Sequence, residues 1–116
     1  MDGIIEFKDW RKIDLRVGKI LEVEEIVGAD KLYKLTVDVG KEIGKKTICA
    51  GIKEYYKKSD LEGMKIVVFT NLQPRKMRGI ESEGMLLAAV SSNKEGKEMD
   101  CVLLSPGNAE VGWKVS

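Results

Sequence analysis

The chain has 116 residues, enough for one domain and too few for two. Hydrophobic residues make up 43% and charged residues 34%, the balance of a soluble globular domain, and no apolar run approaches the ~20 residues that span a bilayer. The formal net charge of +1 favours no particular partner, and the absence of histidine removes the commonest general base.

The opening, MDGIIEFKDW, lacks a basic segment followed by an apolar one. No signal peptide is therefore expected, and the cytoplasm is the expected compartment. Residues 6–12 (EFKDWRK) are expected to form a short helical turn or an ordered arm. Its apolar cluster Ile4-Ile5-Phe7-Trp10 needs cover from the domain or from a second subunit. From Ile13 the apolar period becomes two. Ile13, Leu15, Val17, Leu21 and Val23 alternate with Asp14, Arg16, Gly18, Ile20 and Glu22, which predicts a long strand with one wet face. Gly18 in its middle suggests a bulge or a sharp coil.

Residues 28–31 read as a turn, and residues 32–39 as a second strand with Tyr33, Leu35, Val37 and Val39 on one face. A glycine-punctuated basic loop (40–46) leads to a third strand at 47–50. Residues 52–58 (IKEYYKK) carry a helix period, and 59–63 close that segment. Residues 65–70 are nearly all apolar, as in a strand buried on both faces. Further strands are expected at 85–90 and 99–104, and 109–115 close the chain. Three strands, a helix, two strands and then extras is the order of an all-β OB-fold. The expected fold is a five-stranded Greek-key barrel with one helix between strands 3 and 4 and extra short C-terminal strands, a single domain over residues 1–116.

Charge is unevenly distributed. Between Lys41 and Arg78 there are ten Lys or Arg against four acids, a balance of +6, and the remainder carries −5. Such a chain presents a basic face while near neutral overall, although the same lysines could simply solvate a surface. The densest stretch is 71–85, NLQPRKMRGIESEGM. It follows the apolar strand, opens with Pro74, which cannot donate to a ladder, and holds Arg75, Lys76 and Arg78 within four positions. It reads as a basic loop between two buried strands, a common seat of function.

Catalytic signatures are missing: the chain has neither a GxSxG elbow nor a GxxxxGK[ST] phosphate loop, and its paired carboxylates sit in turns and at strand ends. Two isolated cysteines, Cys49 and Cys101, cannot close a four-ligand zinc site, and each lies in an apolar stretch that suits a buried reduced thiol; a disulfide or a reactive thiol is the alternative. No enzyme activity, metal or cofactor is expected. Binding is the better class. An OB barrel binds on strands 2 and 3 and on the loops joining strands 1–2 and 4–5. Those loops hold Lys31 and the 71–84 stretch, and Lys57 lies in the basic segment between them. Arg75 and Arg78 suit bidentate phosphate contacts, and Lys76 a point charge. Ser82 suits a ribose hydroxyl or a base edge, and Met85 either a base face or the strand core. Only Tyr33, Tyr55 and Tyr56 could stack bases in the basic half, too few for a strong nonspecific single-strand binder.

The segments FKDWRKIDLRVGKI, DKLYKLTVDVG, TICAGIKEYY and NLQPRKMRGIESEGM together resemble the tRNA-binding domain at the end of methionyl-tRNA synthetases. That domain also occurs in free-standing tRNA-binding proteins and in endothelial-monocyte-activating-polypeptide-like proteins. The resemblance covers roughly residues 6–116. It implies an OB-fold that binds tRNA by shape, without reading the anticodon, and aids aminoacylation in trans or as an appended domain, with methionyl-tRNA synthetase as a further partner. It also implies a homodimer in short versions of the domain. The family's binding positions carry over to Asn71, Arg75, Lys76, Arg78, Ser82 and Met85. Gln73 departs from the lysine often found before the proline, which removes one phosphate contact. A sister branch, an export chaperone, departs from the RGIESEGM pattern that this chain keeps. Two rival readings stay open: a peptide-binding dimer like that chaperone, and a module that docks a synthetase with little contact to RNA.

Overall fold

The computed structural model describes residues 3–116; Met1 and Asp2 of the expected 1–116 domain lie outside the described residues. Its centre is β1 (Leu15–Glu25), an eleven-residue strand shared by two halves of a curved sheet. The first half pairs antiparallel with β4 (Lys65–Phe69) and the second with β2 (Tyr33–Asp38). β2 continues into β3 (Lys45–Ala50), and β4 pairs with β7 (Met85–Leu86). The order β3-β2-β1-β4-β7 is that of an OB barrel. β10 (Lys114–Val115) pairs with the start of β1.

The barrel closes between β3 and the segment before β7, largely through side chains. The Glu83 N–H donates to the Thr47 carbonyl at 2.7 Å, and the Glu83 carboxylate accepts the Thr47 N–H at 3.0 Å. The Ser82 hydroxyl accepts the Cys49 N–H at 3.0 Å. Inside lie Ile20, Leu35, Val37, Ile48, Ile66 and Val68, all fully buried. Alternation along β2 produces this core as predicted: Tyr33, Leu35, Val37 and Val39 all point inward.

The alternation along β1 needs correction. The register slips between Ile20 and Glu22, so the bulge is at Leu21 and not at Gly18. Ile20 therefore turns inward and is fully buried, while Leu21 is partly exposed. Gly18 keeps a regular pairing with Ile66. It is needed for a different reason: a Cβ there would lie 2.9 Å from Val68 Cγ2 and 3.0 Å from Val37 Cγ1.

The helix between strands 3 and 4 exists but sits later than its period suggested. Residues 52–56 make a turn, with the Tyr55 and Tyr56 N–H groups both reaching the Ile52 carbonyl. Lys57 is extended, and α2 (Lys58–Leu61) begins after it, with Asp60 accepting the Lys57 N–H. Tertiary anchors override the local pattern here. The Tyr33 hydroxyl donates to the Tyr56 carbonyl, the Tyr56 hydroxyl accepts the Leu103 N–H, and Leu61 is fully buried in the core.

The fifth expected strand divides at Leu87. β7 stays in the barrel, and β8 (Ala88–Ser92) leaves to pair with β9 (Glu98–Leu103) as a separate ribbon. The Glu98 carboxylate of this ribbon, as hydrogen-bond acceptor, pushes the Tyr55 phenol up to about 12. The N-terminal arm contains α1 (Phe7–Trp10). Ile4, Ile5 and Phe7 are exposed, Phe7 at 71%. Both cysteines are free and buried, Cys101 within the core cluster, and burial pushes both above the usual thiol range.

Candidate nucleic-acid interface

The stretch between β4 and β7 is an ordered hairpin, not an open loop. Pro74 ends the first connection, as expected, but ladder pairing resumes at once. β5 (Arg75–Met77) pairs with β6 (Ile80–Ser82) around a two-residue turn, Arg78-Gly79. Both turn residues have positive φ, 52° and 81°, the signature of a tight hairpin turn whose twist matches the strands. Gly79 takes this conformation freely. Arg78 does so at a cost of about 1 kcal/mol or more, and it is the one non-glycine with positive φ among the described residues.

Period-two alternation sorts the hairpin side chains onto two faces. Arg75, Met77, Ile80 and Ser82 share the face toward the barrel, and Lys76 and Glu81 share the other. Arg75 overhangs a groove of about 500 Å³ lined by Cys49, Gln73, Pro74, Ser82 and Met85 among others. Met85 is 43% exposed at its edge, so it belongs to the groove and not to the strand core. Arg78 at the tip meets Lys31 of the β1–β2 loop across a small depression that also includes Asp30. Among the described residues, none of Arg75, Lys76 and Arg78 forms an ion pair. Three exposed cations thus project from one two-stranded element, none of them in an ion pair, with Glu81 opposite Lys76 and Asp30 in the depression at Arg78.

The other positions stand apart from this rim. Asn71 spends both ends of its amide inside the protein: its carbonyl accepts the Asp14 N–H at 2.8 Å and its NH2 donates to the Lys12 carbonyl at 2.6 Å. Ser82 is only 4% exposed, and its hydroxyl accepts from the Cys49 N–H and donates to the Gly84 carbonyl at 3.3 Å. Ser82 forms part of the groove floor and Asn71 staples the hairpin's base to the arm. Lys57 is exposed at the start of α2 and lines neither the groove nor the Arg78 depression. Cys49 of the groove floor was not singled out as a site residue, because its apolar neighbours signal only a strand.

Electrostatics reinforce the anchor. Burial pushes the Asp14 carboxyl up, but hydrogen bonds from Arg16 and Thr70 outweigh this and hold it below the usual carboxylate range. The Thr70 hydroxyl also donates to the Asp14 carbonyl at 3.1 Å, and the Thr70 N–H to the same carbonyl at 2.9 Å. Asp14 thereby fixes where the chain leaves β4 for the hairpin. Among the described residues, no group of three or more His, Cys, Asp or Glu side chains could hold a metal ion.

Against known proteins, residues 15–114 match the family described as "Putative tRNA binding domain". The chain belongs to this tRNA-binding domain family. It is 52% identical over 111 residues to the methionine–tRNA ligase of Pyrococcus horikoshii; the match covers 96% of the chain and 14% of the ligase. The tRNA-binding domain thus spans about one seventh of that ligase's length. Two solved structures share its fold over nearly their whole lengths. The CsaA chaperone protein of Picrophilus torridus superimposes with a TM-score of 0.84 at 36% identity, covering 97% of this chain and 100% of the other. A MetRS related protein from Pyrococcus horikoshii does so at 0.79 and 32% identity, covering 97% and 98%.

Proposed function

We propose that residues 1–116 act as one non-catalytic domain that holds folded tRNA by its backbone and raises the local tRNA concentration for a synthetase, with methionyl-tRNA synthetase the first choice. The observation that carries this is the hairpin: Arg75, Lys76 and Arg78 stand exposed and in no ion pair on a two-stranded element beside a groove. Guanidinium groups held this way suit phosphate forks, and backbone contacts without base-edge readout give recognition by shape. Lys31 extends the rim at the tip, Gln73 and Met85 offer softer contacts in the groove, and Lys57 adds long-range charge. Ser82 and Asn71 act through position: they hold the hairpin where the arginines reach RNA. A gel shift tests this. Purified protein should retard tRNA at low salt and release it as salt rises. Failure to shift tRNA at low salt would defeat the reading.

We further propose that the domain works as a homodimer through its exposed arm, since Ile4, Ile5 and Phe7 are costly to leave in water. A sedimentation mass equal to the 13.0 kDa chain at micromolar concentration would contradict this.

The likeness to the CsaA chaperone supports a second reading, a dimer that binds unfolded peptide. Under that reading, suppression of aggregation would persist when tRNA competes. The exposed arginines favour RNA. A synthetase pulled down after nuclease treatment, with no tRNA shift, would favour a docking module instead.

A further inference from the structure

A second cleft, of about 650 Å³, lies between the β2–β3 turn and the C-terminal segment. Its walls are fixed by the backbone. Gly40 and Gly112 both have a φ of +94°, and a Cβ on Gly40 would lie 2.7 Å from the Gly112 Cα, so any side chain there would force the two segments apart. Arg16 ties the same segments together, donating to Glu42 Oε2 at 3.0 Å and to the Gly112 carbonyl at 3.3 Å. The Trp113 carbonyl accepts the Val17 N–H at 2.9 Å, which fixes the tryptophan's backbone to β1. On this fixed support the Trp113 side chain is 56% exposed.

Two acids and two lysines line the cleft. Of the two acids in the cleft, Glu42 is paired with Arg16, and Asp38 accepts the Gly40 N–H at 3.0 Å. Lys41 and Lys45 line the same cleft, are exposed, and form no ion pair among the described residues. The cleft therefore offers an exposed indole beside two exposed lysines that form no ion pair among the described residues, with Asp38 across the strand pair from Lys45. An unpaired nucleotide matches both features: its base stacks on an indole, and its phosphate sits between lysines.

We propose that this cleft is a second RNA contact, seating one unpaired nucleotide with its base on Trp113 and its phosphate between Lys41 and Lys45. This rests on the RNA-binding reading given above and adds to it a requirement for a single-stranded nucleotide away from the hairpin.

The chain has two tryptophans, so Trp10→Phe leaves Trp113 as the sole indole reporter. In that background, emission should be quenched by tRNA and, more weakly, by a short unpaired oligoribonucleotide. Trp113→Ala should weaken tRNA binding about five- to hundredfold, with Trp113→Phe intermediate. Lys41→Ala with Lys45→Ala should lower the salt slope by about 0.7 in all, the share of the one phosphate they hold. Unmoved emission, together with unchanged affinity in Trp113→Ala, would overturn the second contact while hairpin-dependent tRNA binding survives. Loss of all tRNA binding in the parent protein would instead sink the RNA reading itself. A change in sedimentation mass on Trp113→Ala would mark the cleft as an interface between copies and overturn the proposal. Quenching by an unfolded polypeptide but not by RNA would overturn it in favour of a peptide.

Discussion

The stretch from Asn71 to Met85 contains two populations of side chains that look alike in sequence and behave oppositely in the fold. Arg75, Lys76 and Arg78 are exposed and in no ion pair, projecting from the hairpin. Asn71, Ser82 and Glu83 turn inward and hydrogen-bond to the arm or to β3. The first group has the geometry to meet RNA, and the second has the geometry to hold the first in place. A candidate binding motif read from sequence therefore mixes exposed cations with scaffold, and exposure and hydrogen-bond partners together separate them. The two groups should fail in different experiments.

The largest effect is expected from the exposed group. Arg75→Ala with Arg78→Ala should cut tRNA affinity by about a hundred- to ten-thousandfold at low salt, since each charge-assisted hydrogen bond contributes about 1.5–3 kcal/mol. The urea midpoint of the same variant should hold or rise, because neither side chain packs on the core. Ser82→Ala should do the reverse. It strands the buried Cys49 N–H and should cost about 1–3 kcal/mol of unfolding free energy. Its tRNA affinity should fall only through a loosened hairpin. Asn71→Ala should behave similarly at about 1 kcal/mol, because its partners can recruit water at an exposed site.

A smaller effect separates the roles within one residue. Arg78→Gly relieves the positive φ and should stabilise the fold by about 1 kcal/mol while weakening RNA binding. Equal stability would mean the turn is unstrained. The smallest is a pH effect on the anchor. The folded Asp14 carboxyl titrates below its unfolded value, so its contribution is present above about pH 4 and is lost as pH falls through the folded pKa. Denaturation midpoints at pH 6 and pH 3 should differ less in Asp14→Asn than in the natural sequence.

Much of this molecule could be read from its residues because burial leaves a period. The inward face of β2, the double-sided burial of β4 and the strand order all follow from apolar spacing. The departures arise where tertiary contacts overrule local pattern. Gly18 looked like a bulge but is a packing gap between Val37 and Val68, and the slip itself falls at Leu21, whose apolar side chain gives no sign of it. Residues 52–58 have helical spacing, yet Tyr55 and Tyr56 are held in a turn by Ile52, Tyr33 and Leu103. The hairpin within 71–84 was hidden by Pro74 and by an Arg-Gly turn that lacks the usual Asn or Asp. The arginines were legible as an exposed basic cluster from charge density. The inward bonds of Asn71 and Ser82 were not, because a short polar side chain serves a staple and a ligand contact equally well.

The division between contact and scaffold is tested most directly by the slope of log affinity for tRNA against log salt. The natural sequence, Arg75→Ala with Arg78→Ala, and Ser82→Ala would be measured side by side. Each lost phosphate contact lowers the slope by about 0.7 to 0.9, so the double arginine variant should lose about 1.4 to 1.8 and Ser82→Ala nothing. An unchanged slope in the arginine variant, or an equal loss in Ser82→Ala, would contradict the account.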